Sequence, residues 1–171
     1  MSKLLDEKDL KLLSLLQKNS NMSIKELAKR IGSPITTVYS RIRRLERLGI
    51  IKRYTAILDP VKLGFGTTAF ILASFKYKIE KGGELISQRT IARKIASLPG
   101  VQEVHIISGD WDILIKVKAR DVQEVGRFVL DKLRLIEGIE KTLTCVVFDS
   151  AKESMELPLD LISEERGEEK G

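Results

Sequence analysis

The stretch "SIKELAKRIGSPITTVYSRIRRLERLG", residues 23–49, decides how the N-terminal third of the chain folds. Ser23 and Glu26 match the S-x-x-E capping box that begins a helix. Apolar residues then recur at helical spacing until a glycine, Gly32, ends the run. The apolar positions of this helix are Ile24, Leu27, Ala28 and Ile31. The pattern predicts a short amphipathic helix followed directly by a turn.

The turn is predicted to lead into a further helix from Pro34 to Leu48, with Ser33 as its cap and the proline in its first turn, where a missing N–H does no harm. One side of this helix is apolar and comprises Ile35, Val38, Ile42 and Leu45. The opposite side carries short hydroxylated residues first and arginines afterwards. Short polar side chains let a helix approach base edges, and arginines further along reach phosphates.

The candidate DNA-binding residues lie on and around this polar side: Ser33, Thr36, Thr37, Tyr39, Ser40, Arg41, Arg43, Arg44, Arg47 and Arg53. We expect the threonines and Ser40 to face bases, with Tyr39 at the edge, and the arginines to contact mainly phosphates. Arg41 lies closer to the apolar side, so it can form an ion pair within the domain as readily as it can contact a phosphate.

The flanking sequence completes a winged helix-turn-helix, predicted for residues 1–52. Upstream, Asp6 can cap a first helix that extends to Asn19. Downstream, Gly49 ends the arginine-rich helix, and "IIKRYTAIL" is predicted to form a strand. Residues 53–66 are then a hinge strand and linker. A helical bundle that binds protein is the alternative to a DNA-binding domain.

The charge distribution favours a nucleic-acid partner for this part of the chain. Residues 1–60 hold 13 Lys and Arg against 6 Asp and Glu, whereas residues 61–171 hold 17 against 18. Because the N-terminal third of the chain is basic and the rest is nearly neutral, only the N-terminal part is expected to bind a polyanion. The single cysteine excludes an internal disulfide, and the single histidine leaves no cluster for a metal site or a catalytic triad. We expect a cytoplasmic protein, because no apolar run approaches the ~18 residues of a membrane helix.

The remaining sequence alternates strand and helix patterns in the order βαββαβ, which predicts a ferredoxin-like domain over residues 67–157 and an α+β protein overall. The strands are apolar on both faces, whereas an antiparallel sheet with one exposed face should alternate apolar and polar residues. A second copy of the same sheet is the simplest cover, so we expect a homodimer. Residues 158–171 are predicted to be a disordered acidic tail.

The chain resembles transcription regulators of the Lrp/AsnC (feast/famine) family, in the form found in archaea. The segments that carry the resemblance are "LDEKDLKLLSLLQKN", "SIKELAKRIG", "TTVYSRIRRLERLGIIKRYTAILDPVKLG", "LPGVQEVHIISGDWDILIKV" and "KTLTCVVF". The resemblance implies a C-terminal RAM domain, dimers that pack sheet to sheet and assemble into tetramers or octamers, and an amino-acid effector bound between RAM domains. The matching effector residues are Gly109, Asp110, Trp111, Asp112, Thr142 and Thr144.

Two features depart from that family pattern. Trp111 stands where many members have tyrosine, which removes a hydroxyl and reduces the room beside the two acids. The connection "KYKIEKGGELISQRT", residues 76–90, is longer than usual.

The two acids around Trp111 could in principle bind a metal, share a proton, bind an amine or simply close a hairpin turn. A metal site needs at least three protein ligands, and a paired-carboxylate hydrolase needs a cleft and partners, so we predict neither a metal, a cofactor nor an enzyme. A turn is compatible with effector binding, since a carboxylate can pair with an ammonium group. We expect a sequence-specific DNA-binding regulator that responds to an amino acid. The alternative is an architectural protein that compacts DNA and has no effector.

Overall fold

The computed structural model describes residues 4–76 and 87–162. The chain forms two compact units: Met1–Ile57 together with Lys152–Gly171, and Leu58–Ala151. These boundaries differ from the predicted domains, because the residues after Ala151 join the N-terminal unit. None of the described helices is long and apolar enough to cross a membrane.

Three helices build the N-terminal unit: α1 (Glu7–Lys18), α2 (Ile24–Ile31) and α3 (Ile35–Arg47). They enclose a small apolar core, whose buried members are Leu12, Leu16, Leu27, Ala28, Ile31, Val38 and Leu45. Gly32 adopts a left-handed conformation (φ 67°) that ends α2 and turns the chain into α3. The predicted helix-turn-helix is confirmed.

The helix starts differ from the prediction in two details. Ser23 caps α2 by accepting the N–H of Glu26, but the Glu26 carboxylate pairs with Arg30 at 2.9 Å and does not complete a capping box. The capping box is found in α1, between Asp6 and Asp9. The prediction that Ser33 caps α3 was wrong. Pro34 is the N-cap, because its ψ of 147° is extended while its carbonyl accepts the first helical bond, from Val38.

The apolar side of α3 is narrower than predicted. Val38 and Leu45 are fully buried, but Ile35 remains 51% exposed because it lies at the first position of the helix. The predicted strand over residues 50–58 was also wrong. Among the described residues only the strands of the C-terminal sheet pair with one another, and this segment has no neighbouring strand; the N–H groups of Ile50 and Ile51 donate instead to the Leu45 carbonyl at the end of α3.

The C-terminal unit has the predicted βαββαβ order. Its elements are β1 (Thr67–Phe75), α4 (Gln88–Ala96), β2 (Val101–Ile106), β3 (Ile113–Ala119), α5 (Val122–Asp131) and β4 (Ile139–Val146). The strands form one antiparallel sheet in the order β2-β3-β1-β4, which confirms the ferredoxin-like fold. A single 3₁₀ turn, Leu133–Leu135, follows α5.

One face of the sheet packs on the two helices, and the core there includes Ile71, Ile91, Ile95, Ile113, Ile115 and Leu133. Val122 lies in the first turn of α5 and is 55% exposed. The other face is open in a single copy. The register places Phe70, Leu72, Leu114, Leu143 and Cys145 on it as neighbours. The sequence-based observation of two apolar faces therefore corresponds to an apolar surface that one chain leaves uncovered.

Two predictions concern segments that are only partly described. Of the long connection between β1 and α4, residues 77–86 lie outside the described residues. Of the predicted disordered tail, residues 163–171 lie outside them, while residues 158–162 form a short helical turn in which Leu161 N–H donates to the Pro158 carbonyl.

Candidate nucleic-acid interface and effector loop

The polar side of α3 is exposed along its length. Thr36, Thr37 and Ser40 occupy its N-terminal half, where the apolar core does not reach. The Ser40 hydroxyl donates to the Thr36 carbonyl at 2.9 Å, which leaves its oxygen lone pairs free to accept. Neither threonine hydroxyl bonds to another described residue. This half of α3 therefore presents small groups that can both donate and accept hydrogen bonds.

A shallow groove of about 280 Å³ beside α3 is lined by apolar side chains together with aromatic and charged ones. The Arg43 guanidinium lies 5.3 Å from the centre of the Tyr39 ring, donates to the Tyr39 hydroxyl at 3.0 Å and pairs with Glu46 at 3.1 Å. The Tyr54 hydroxyl donates to the other Glu46 oxygen at 3.1 Å. Burial and this bond to Glu46 raise the pKa of Tyr54. Arg43 is thus oriented by its neighbours while its side chain stays 59% exposed.

A buried carboxylate on α1 binds two of the arginines predicted to contact phosphates. Asp9 is completely buried, and its oxygens accept from Arg41 at 2.7 Å and from Arg44. Arg41 also pairs with Asp6 at 2.6 Å. These hydrogen bonds to Asp9 and Asp6 raise the pKa of Arg41. Arg41 thus takes the intradomain pairing that was one of its two predicted roles, and Arg44 is held in the same cluster.

Asp9 was not among the residues predicted from the sequence, although a signal was present. Asp9 lies on the same side of α1 as Leu12 and Leu16, three and seven residues later, so it occupies a position on the buried side of the helix. An acidic residue at such a position requires a partner of opposite charge. The arginines near the apolar side of α3 are the partners that the fold supplies.

The remaining predicted residues of this surface are placed as follows. Arg47 and Arg53 are exposed, and neither forms an ion pair with any described residue. Ser33 is half-buried, and its hydroxyl accepts a hydrogen bond from Lys8 at 3.0 Å. Of the predicted arginines, Arg47 and Arg53 are therefore without an ion pair among the described residues, and Arg43 is partly neutralised by Glu46.

The predicted effector loop connects β2 to β3. Gly109 has a φ of 117°, a conformation that favours glycine, and the Ile107 N–H donates to the Asp112 carbonyl at 2.9 Å across the base of the loop. The predicted turn is therefore present, but it joins an edge strand, β2, to a central strand, β3, and not two central strands.

The two acids of the loop have different environments. Asp112 is half-buried, and one carboxylate oxygen accepts the Phe75 N–H at 2.7 Å while the other accepts from the Gln88 side chain at 2.8 Å. It thus joins the end of β1 to the start of α4. Asp110 is exposed and bonds to no described residue. Each oxygen of Asp112 thus has one partner within the domain, whereas Asp110 has none among the described residues.

Trp111 and the two threonines lie at or near the same end of the sheet. Trp111 is half-buried between the two acids. Thr142 pairs with Ala73 of β1, whose carbonyl accepts the Asp112 N–H at 3.1 Å from the other side. Thr142 and Asp112 therefore flank the same residue at a separation of about 10 Å, two strand spacings. Thr144, one pair further along β4, is exposed. No group of three His, Cys, Asp or Glu that could hold a metal occurs in the described part of the chain.

The fold and these surfaces define a DNA-binding protein of the helix-turn-helix class with a second, ferredoxin-like domain. Residues 5–52 match the family model "Winged helix-turn-helix DNA-binding", and residues 79–157 match "Lrp/AsnC ligand binding domain". The chain belongs to the Lrp/AsnC family of transcriptional regulators.

Relatives of known sequence or structure align along nearly the whole chain. An uncharacterized HTH-type transcriptional regulator of Pyrococcus abyssi is 48% identical over 155 residues, 91% of this chain and 100% of the relative. The HTH-type transcriptional regulator FL11 of Pyrococcus furiosus is 36% identical and covers 93% of this chain and 99% of its own length. The crystal structure of the transcriptional regulator NMB0573/L-Met complex from Neisseria meningitidis has a TM-score of 0.83 at 28% identity and covers 92% of this chain and 99% of its own.

Proposed function

We propose that this regulator binds specific DNA sequences through α3 and that a small effector of the amino-acid class modulates its binding. The observation that carries the proposal is the exposed side of α3, where three unobstructed hydroxyl side chains precede a cation, Arg47, that lacks an ion pair within the described residues. Hydroxyl groups on a helix can meet base edges, and a free guanidinium suits a phosphate.

The contacts divide between base edges and the backbone of the duplex. Thr36, Thr37 and Ser40 read bases, with Tyr39 at the edge of the helix. Arg47 and Arg53 contact phosphates, and Arg43 joins them when it releases Glu46. Arg41 and Arg44 remain with Asp9 and orient the helix, because removing them would leave a buried carboxylate unpaired.

The effector interacts with the end of the sheet where the loop lies. Asp110 offers a carboxylate without a partner among the described residues, and an ammonium group is its natural ligand. Thr142 and Thr144 add hydroxyl groups, and Trp111 limits the size of the bound side chain. The L-Met complex of the Neisseria meningitidis regulator supports an amino acid as the class of ligand.

A second copy of the chain covers the open face of the sheet. Phe70 and Leu143 are 36% and 46% exposed in a single copy, and burying such residues on a symmetric partner is favourable. A dimer also presents two α3 helices to a palindromic site, and further assembly gives tetramers or octamers.

The decisive experiment is selection of bound duplexes from a random pool, with and without a mixture of the twenty amino acids. We expect a palindromic motif whose enrichment changes when the amino acids are present. Retention of DNA without any motif, and without response to the amino acids, would instead identify an architectural protein that compacts DNA. Failure to retain any duplex at low salt would contradict DNA binding itself.

A further inference from the structure

The N-terminal unit includes a segment from the far end of the chain. After β4 the chain leaves the sheet, and residues from Lys152 onward belong with the three helices. The side chain of Gln17 on α1 binds this C-terminal segment. Its Nε2 donates to the Leu157 carbonyl at 2.9 Å, and its Oε1 accepts the Leu157 N–H at 3.1 Å. One amide thus satisfies both backbone groups of a single residue, as a neighbouring strand would.

The anchor lies on α1, and the residue before Gln17 in that helix, Leu16, lines the same groove as Tyr39 and Arg43 of α3. The chain continues from Leu157 through a helical turn whose described part reaches Ile162, and nine further residues follow in the sequence. Nine residues can span up to about 30 Å, which exceeds the roughly 20 Å length of α3. An extended segment of this length is therefore long enough to cover the whole of α3.

The charges of the two parts are complementary. The tail, residues 163–171, holds four glutamates against Arg166 and Lys170. Residues 1–57 hold 13 Lys and Arg against five Asp and Glu. Arg47 and Arg53 are exposed and have no ion pair among the described residues. An acidic chain placed close to unpaired arginines occupies the position that a phosphate backbone would take.

We propose that the acidic tail docks on the exposed basic side of α3 and competes with DNA there, held close to it by the bonds between Gln17 and Leu157. This inference rests on DNA binding through α3. The tether matters because it supplies a local concentration in the millimolar range. A tail whose intrinsic affinity is only about 1 mM would then occupy the surface about half of the time and weaken DNA binding about two-fold.

The test compares three variants with the unaltered full chain by fluorescence anisotropy on one duplex, at low and at high salt. Glu168→Gln together with Glu169→Gln removes two charges from the tail. Glu137→Gln with Glu140→Gln removes the same charge from exposed positions next to and within β4, and is the matched control. Gln17→Ala keeps every charge but removes the anchor. A thermal melt of each variant verifies that it is folded.

At low salt the tail variant should bind DNA up to about two-fold more tightly than the control variant, and Gln17→Ala should gain at least part of that increase. Near 1 M salt the gains should disappear, since the screening length falls to about 3 Å. Equal affinities for the tail and control variants would reduce the effect to net charge and overturn the proposal. An unchanged affinity of Gln17→Ala would also overturn it. Absence of DNA binding in every variant, including the unaltered chain, would refute DNA binding through α3 and the proposal with it.

Discussion

Replacing Asp9 by asparagine should lower the free energy of unfolding of the N-terminal unit by much more than the loss of a single charge suggests. The carboxylate is fully buried, accepts from Arg41 and Arg44, and accepts the Asp6 N–H at 3.0 Å. Removing one partner of a buried ion pair typically costs about 3–5 kcal/mol. Here the arginine side chains are 22% and 43% exposed, and Arg41 keeps Asp6. We therefore expect a smaller loss, about 2–3 kcal/mol.

The assay is urea unfolding followed by far-ultraviolet circular dichroism, which reports mainly on helices. Trp111 is the only tryptophan and lies in the other unit, so its fluorescence in the same titration reports on the sheet. With a slope near 1 kcal/mol per molar urea, the helical transition should shift down by about 2–3 M. The control is Glu7→Gln, an exposed residue of the same helical turn that bonds to no described residue. Its loss should stay below about 1 kcal/mol.

The comparison between the two variants decides the outcome. If Asp9→Asn costs no more than Glu7→Gln, the buried cluster does not hold α1 and α3 together, and the assignment of Arg41 and Arg44 to a structural role fails with it.

Other consequences can be checked separately. Arg47→Ala should reduce the slope of log K for DNA binding against log salt by about 0.9. Arg44→Ala should leave this slope unchanged and lower the urea midpoint instead. The reverse pattern would exchange the roles of the two arginines. Asp112→Asn should lower stability by about 1–3 kcal/mol in a thermal melt, because one of its two bonds is lost, while Asp110→Asn should leave the melt unchanged and weaken amino-acid binding in calorimetry. Burial raises the pKa of Asp6, but the Asp9 N–H and the Arg41 guanidinium outweigh it and hold the pKa below its ordinary value of 3.8. The stabilisation that the Asp6 carboxylate contributes is therefore complete above pH 3.8 and is lost as the pH falls through the lower pKa of the folded state. The difference in urea midpoint between the unaltered chain and Asp6→Asn should accordingly shrink on acidification from pH 7 to pH 3.

Local patterns in the sequence were enough to predict most elements of both units. The repeat of apolar residues identified the helices of the N-terminal unit, and the glycine after α2 identified its end, because these signals act within a few residues. The βαββαβ order likewise followed from alternating patterns. The two apolar faces of the strands also revealed that the sheet has an uncovered surface in a single chain.

What the sequence did not reveal depends on contacts between distant residues. Arg44 lies on the polar flank of α3 in a helical projection, and only the packing of α1 brings Asp9 within reach, 35 residues earlier in the chain. Asp112 looked equivalent to Asp110, yet the folded sheet gives it the N–H of Phe75 and the amide of Gln88. The segment after α3 has strand-forming residues, but a strand requires a neighbour that the described chain does not supply.

The buried pairing of Asp9 also sets a rule for anyone who wishes to redirect this regulator to a new operator. Thr36, Thr37 and Ser40 can be exchanged for other side chains without touching the core, so they are the positions to randomise in a library. Residues 41 and 44 belong functionally to the first helix. When a recognition helix is transplanted from another protein, the acidic residues of α1 must be changed to match it. Otherwise the ion pairs that hold the helix against α1 are lost.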